Sequence, residues 1–202
     1  MKIIQIIKRL NNTELGKGNT HETYVRLNND ADGNLIFNNL NELEFVNKRN
    51  GKNIILTYTH GREQRFNGLG EFYRENDILA GDEVIFERKI FDDYEEYYID
   101  FLKFSDNVVL QKTSSIGFEI LKGDWSVLFE DVDELNNISI EYLGEFKKRS
   151  DSPNYTKYYD ILIDKRSVLK KYKPNDMIEI KNNNGIISLL LINPCIIYEM
   201  DV

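Results

Sequence analysis

Residues 8–27 read KRLNNTELGKGNTHETYVRL, and the fold turns on how this stretch is interpreted. It opens and closes on strand-like alternation. Between those ends lies a glycine-punctuated insert of Arg, Asn, Thr, Lys and His. A hairpin that only reverses the chain needs little more than an Asn-Gly or Asp-Gly pair. Arg9, Asn11, Asn12, Thr13, Lys17, Asn19, Thr20 and His21 are instead the side-chain types that bond base edges and phosphates. The stretch therefore reads as two strands joined by a polar arm, with Arg26 on the returning strand.

Working outward, the rest of the chain repeats the strand signal. KIIQIIK, NIILTYT, DEVIFERK, EYYIDFLKF, WSVLFE, ISIEYLGEF, YYDILID, DMIEIK, GIISLLLI and CIIYEM are short runs rich in Ile, Val, Tyr and Phe, set apart by Asn, Asp and Gly. That pattern predicts many short antiparallel strands. Helical spacing is confined to brief pieces near 40–46, 70–76 and 167–172. The small and polar residues of 103–115 suggest a division into 1–105 and 106–202. A loose echo links the two halves: NDILAGDEVIFER in the first and KKYKPNDMIEIK in the second each launch a strand from a Gly-Asp or Asn-Asp turn. Tandem duplication of a barrel and independent reuse of turn chemistry both account for it.

The 202 residues, 41% of them hydrophobic, suffice for a real core. No apolar run approaches membrane-spanning length, and MKIIQIIKRL turns polar too soon for a signal peptide, so a cytoplasmic protein without a membrane partner is expected. The single cysteine, Cys195, excludes a disulfide within one chain and a cysteine-rich zinc site. A formal charge of −8 argues against indiscriminate binding to nucleic acid. Its distribution is uneven. Residues 1–70 carry 10 Lys and Arg against 7 Asp and Glu, whereas residues 71–100 carry 3 against 11. The only positive balance therefore coincides with the polar arm.

The order Leu10, Asn11, Asn12, Thr13, Glu14, Leu15, Gly16, then Gly18, Asn19, Thr20 and His21 before a new strand resembles the first recognition arm of a DNA-binding pseudobarrel. That domain occurs as the N-terminal effector domain of EcoRII-type restriction endonucleases and in the plant B-three transcription factors. HGREQRFNGLGEFYRENDILAGDEVIFERK, residues 60–89, looks like the family's second arm, short helix and closing Gly-Asp strand, with Gly81 and Asp82 at the turn. The resemblance covers about residues 1–105. Asn19 and Thr20 stand where the family has paired glycines, and Asn28 where a proline often ends the second strand. It implies an N-terminal DNA-binding pseudobarrel carrying short helices; with the strand runs of the remainder, the chain reads as a mainly β protein whose second half is a smaller β or α+β subdomain. The resemblance also implies a role as the recognition module of a restriction system.

Read from chemistry alone, the second arm carries the same meaning. Arg62 and Arg65 can bond guanine, Gln64 and Asn67 adenine, and Glu63 can accept from cytosine N4. Both histidines of the chain, His21 and His60, lie in or beside these arms. The turn at 48–52, KRNGK, reads as an exposed charged hairpin loop, and the acidic run FDDYEEYYID at 91–100 as a solvated strand edge. Two other function classes stay open. A compact metal-dependent nuclease would use Glu145 and Lys147 with Asp133; Asp176, Glu179 and Lys181, or Glu87 and Lys89, match the same loose spacing. An acidic β module that binds another protein suits the net charge. On the preferred reading the partner is double-stranded DNA and this chain holds no cofactor, Mg²⁺ entering only if a nuclease is present. A nuclease or motor would then belong to another domain or subunit. The chain stops directly after a strand-like run, as an excised N-terminal fragment would.

Overall fold

The structure is a computed structural model that describes residues 1–17, 22–27, 31–61, 63–104, 107–113, 116–125, 138–148, 150, 154–183 and 186–202. Asn19, Thr20, His21, Arg62 and Asp133 lie outside these residues. The fold is mainly β, with two sheets and few short helices. Its contacts divide the chain into one unit of Met1–Lys103 with Pro194–Val202, and a second of Phe104–Asn193. The sequence division at 105/106 thus lies two residues from the first crossing, but the last strand returns to the first unit.

In the first unit, eight strands run in the order β15(Cys195–Asp201), β1(Lys2–Arg9), β6(Glu83–Ile90), β7(Glu95–Leu102), β3(Glu42–Asn47), β4(Asn53–Thr59), β5(Arg65–Asn67), β2(Tyr24–Arg26). All neighbours are antiparallel except β3 and β7, and one of the two sheets is a curled half-barrel. Alternation explains the burial. Ile4 and Ile6 of β1 are interior, as are Leu56 and Tyr58 of β4 and Phe66 of β5. Phe66 lies 4.8 Å, ring centre to ring centre, from both Phe37 and Phe86, and Tyr58 and Phe45 extend the aromatic cluster. The helices are α1(Asn34–Phe37) and α2(Gly70–Glu75). The spacing at 40–46 that suggested a helix belongs instead to β3, whose residues alternate inward and outward with Phe45 fully buried.

The acidic run departs from its expected place. Residues 91–94 form the turn into β7 and residues 95–100 lie within it; β7 pairs with β6 along its length and with β3 at Tyr98 and Ile99, so it stands inside the sheet rather than at its edge. Cations from neighbouring elements make that position tenable. Arg88 donates to both oxygens of Glu95 at 2.5 and 3.0 Å, and Arg49 of the 48–52 turn reaches Asp100 at 2.6 Å. Burial, and then the Glu95 carboxylate that accepts its O–H, push the Tyr97 phenol up from 10.0 to about 12. The fold thereby favours the protonated phenol. Its contribution is complete below the ordinary phenol value and is lost as pH rises through about 12. A stability titration is expected to turn down above pH 10, and Tyr97→Phe to shrink that downturn.

The second unit carries β8(Val108–Lys112), β9(Phe118–Lys122), β10(Ile138–Lys147), β11(Tyr155–Ile163), β12(Arg166–Ser167), β13(Met177–Asn183) and β14(Ile186–Ile192), around a core that includes Val108, Leu110, Phe118, Ile161 and Ile178. Its plan follows that of the first. The opening strand pairs with the first strand of the closing hairpin in both, β1 with β6 and β8 with β13. The central hairpins β3–β4 and β10–β11 are each followed by a short antiparallel strand, β5 or β12, and a helical turn, α2 or the 3-10 turn at Leu169–Lys171. Even the Gly-Asp and Asn-Asp turns match. Asp82 accepts from Leu79 N–H at 2.8 Å and Asp176 from Lys173 N–H at 2.7 Å, each after a residue of positive φ, Gly81 at 87° and Asn175 at 75°. The pairing differs, since β9 lies between β8 and β11 whereas β2 pairs with β5, and β7 pairs with β3 whereas β14 ends its sheet order. The two connections that bear the arms differ as well. Residues 10–23 of the first unit correspond to 113–117, and residues 60–64 to the two-residue turn Asp164–Lys165, with φ of 51° and 60°. The second unit keeps the order of elements along the chain and shortens both connections.

Candidate functional site

The first arm is anchored by a buried carboxylate. Even-numbered residues of β1 face the interior, so Lys8 follows Ile4 and Ile6 inward and is 3% exposed. An isolated buried ammonium is costly. Glu14, 2% exposed, answers it, with its oxygens 3.2 and 3.4 Å from Lys8 Nζ. The same carboxylate accepts from Asn11 N–H at 3.0 Å and from Arg26 N–H at 2.9 Å. Glu14 thus ties together β1, the arm and β2. Beside it the Glu14 carbonyl accepts from Tyr24 N–H at 3.0 Å, and Leu15 bridges to Thr23, so the arm's stem is a short antiparallel ladder.

The second arm is laid against the end of the first by strand pairing. Tyr24, Val25 and Arg26 oppose Asn67, Phe66 and Arg65, and Asn67 and Arg65 oppose Thr57 and Thr59 of β4 on the other side. Directly opposed residues share a face. Val25, Phe66 and Tyr58 enter the core, so Arg26, Arg65, Asn67, Thr57 and Thr59 form one outward polar face, on which the Tyr24 ring is buried beside the Arg65 guanidinium. Glu22, Thr23, Thr59, Glu63, Arg65 and Asn67 line an open groove of about 600 Å³ there. Gly68, at φ 95°, turns the chain off β5 into α2, and a Cβ on it would stand 2.8 Å from the Ile55 carbonyl.

Arg65 is the best-positioned cation of this face. Its guanidinium lies 4.4 Å from the centre of the Tyr24 ring, and Nη2 bonds Glu63 at 2.5 Å. Arg65 Nε is buried with no hydrogen-bond partner among the described residues. Arg26 is about half exposed and reaches the other oxygen of Glu63 at 3.5 Å. Asn67 Nδ2 donates to Thr59 Oγ1 at 3.1 Å, and Lys17 is exposed on the first arm.

Other residues chosen by type alone are engaged elsewhere. Arg9 is 6% exposed and bonds Glu83, its cross-strand neighbour, through Nη2 at 2.7 Å. Gln64 points inward, where its Oε1 accepts from Gly33 N–H at 2.8 Å and Tyr58 O–H at 2.5 Å. Asn11 Oδ1 accepts from Thr13 and Glu14 N–H groups, an Asx turn at the arm's base, and the Asn12 carbonyl accepts from Lys17 N–H. His60 meets Asn41 Oδ1 at 2.9 Å beside the Tyr58 ring. The 48–52 cations are paired too, Lys48 with Glu87 and Lys52 with Glu75, both at 2.7 Å or less.

Of the loose nuclease spacings, the first includes Asp133, which lies outside the described residues, and Glu87 of another lies 3.8 Å from Lys89 and 2.7 Å from Lys48. Glu145 lies 3.8 Å from Lys157, Lys147 sits over the Tyr155 ring, Asp176 belongs to its turn, and Glu179 bonds Asn107 and Lys181. Among the described residues no three His, Cys, Asp or Glu side chains come together as a metal site. None of the described helices is long and apolar enough to cross a membrane.

Lys8, Glu14, Tyr24, Thr57 and Thr59 were missed by selecting residues on type. The signal for the threonines was present in NIILTYT, where period-two alternation sends 57 and 59 outward with the polar face. Compared with known proteins, the chain matches no family model and no curated sequence.

Proposed function

We propose that the chain binds double-stranded DNA in a sequence-specific manner, as the recognition module of a restriction system, with the two arms entering the major groove. The observation that carries this reading is the polar face of β2, β5 and β4. It sets Arg26, Arg65, Asn67 and Thr59 beside the stem of an arm whose exposed part includes Lys17. Arg and Asn on a rigid, twisted ladder suit base edges, and an exposed Lys suits a phosphate. The resemblance of residues 8–27 and 60–89 to the effector pseudobarrel supports the restriction context. Asn12, Asn19, Thr20, His21, Arg62 and Asn67 complete the proposed contact set. Cleavage or translocation is assigned to a separate domain or subunit, with DNA the partner of this one and a cytoplasmic setting.

Selection from a random duplex library, followed by anisotropy titration of the enriched site, tests the proposal. Arg65→Ala is expected to weaken the selected duplex by about 1 to 3 kcal/mol and to relax preference at one base pair. Lys17→Ala should weaken selected and scrambled duplexes alike and lower the salt slope by about 1. The presence of Glu22 and Glu63 in the groove favours one rival, an acidic module that docks another protein. An unenriched library and no salt-dependent DNA affinity would install that rival.

A further inference from the structure

Arg26 and Arg65 face one another directly across the β2–β5 pair, an arrangement that like charges disfavour. One carboxylate relieves it. Glu63 precedes Arg65 by two residues and so shares its face. Its Oε2 lies 2.5 Å from Arg65 Nη2 and its Oε1 3.5 Å from Arg26 Nη2. The three groups differ in freedom. The Arg65 guanidinium is held against the Tyr24 ring and its side chain is 29% exposed, whereas Glu63 and Arg26 are 49% and 54% exposed. Surface ion pairs of this kind hold weakly, so the Glu63 carboxylate is an occupant that another anion or acceptor can displace.

Resting on the DNA-binding reading, we propose that Glu63 is the specificity gate of the site, holding Arg65 and Arg26 in the free protein and releasing them only where DNA offers the carboxylate a new partner. A phosphate, or the O6 and N7 acceptors of guanine, can replace Glu63 on the arginines. What the DNA offers the displaced carboxylate then separates one site from another. A cytosine N4 or adenine N6 amino group in the major groove supplies a donor; a phosphate does not. On a phosphate or a wrong base the exchange loses the pairs of Glu63 with Arg65 and Arg26 and brings its negative charge against acceptors, so the complex is disfavoured. At the right base step both partners are re-bonded. The gate therefore charges indiscriminate binding more than cognate binding, which suits a DNA reader in a chain of net charge −8.

The test is Glu63→Gln, which keeps the size of the side chain and removes its charge at an exposed position. Wild type and variant are titrated, across a range of salt, against the library-selected duplex and a scrambled duplex of the same composition. The variant is expected to bind the scrambled duplex several-fold more tightly, with a salt slope steeper by about one unit as a freed arginine meets phosphate. The ratio of selected to scrambled affinity should fall by about tenfold. Glu63→Ala should shift the scrambled duplex in the same direction. An unchanged ratio, or equal weakening on both duplexes, overturns the gate while leaving DNA binding intact. A wild-type protein that binds neither duplex removes both readings.

Discussion

Glu14→Ala is expected to destabilise the protein by about 3 to 5 kcal/mol in urea unfolding, because it strands the Lys8 ammonium in the interior. The same change removes the acceptor of Asn11 and Arg26 N–H, so the arm's base and the first residues of β2 lose their tie to β1. Glu14→Gln should cost less, since an amide oxygen still serves one of those donors. Adding Lys8→Met to Glu14→Gln should recover part of the loss, because the buried charge is then gone. A near-silent Glu14→Ala would mean that the carboxylate is not the anchor described. If the arms bind DNA as proposed, affinity should fall in Glu14→Gln more than stability does, because the change shifts the arm's base.

Phe66→Ala and Arg65→Ala, adjacent in sequence, are expected to fail in opposite ways. Phe66 is fully buried among Phe37, Phe86 and Tyr58, and its truncation should cost about 3 to 5 kcal/mol of stability through lost packing and the cavity left behind. Arg65 stands on the other face of the same strand, so its loss should appear in the binding titration and barely in the melting curve. Parallel melts and titrations of the two variants separate the roles. If Arg65→Ala unfolds the protein as Phe66→Ala does, the stack on Tyr24 is structural and the outward face is not a binding surface.

These contrasts also mark what the sequence disclosed. Its alternating runs announced a β protein with few helices, and the charged turn at 48–52 lies where the residues suggested. The site was only partly legible. Residue type nominated Glu63, Gln64, Arg65 and Asn67 together, but a strand admits every second side chain to one face, and Gln64 turns inward to Gly33 and Tyr58. Arg9 looked exposed by type and was claimed by a cross-strand glutamate 74 positions away. The acidic run suggested an edge because its countercharges, Arg88 and Arg49, come from other elements. Lys8 and Glu14 carried a readable clue, since the parity of β1 requires a buried lysine and hence a nearby acid. The partner's identity still depended on how the arm folds back.

The return of β15 to the outer side of β1 bears on how the chain is made. During synthesis, β1 leaves the ribosome before the second unit, and its neighbour β15 only after that unit has emerged. The apolar flank of KIIQIIKR is meanwhile an open ladder, able to pair with a like strand of another nascent chain. The register from Lys2–Asp201 to Lys8–Cys195 joins the residues farthest apart along the chain and should be slow to form, so yield at elevated temperature should depend on how quickly β15 arrives.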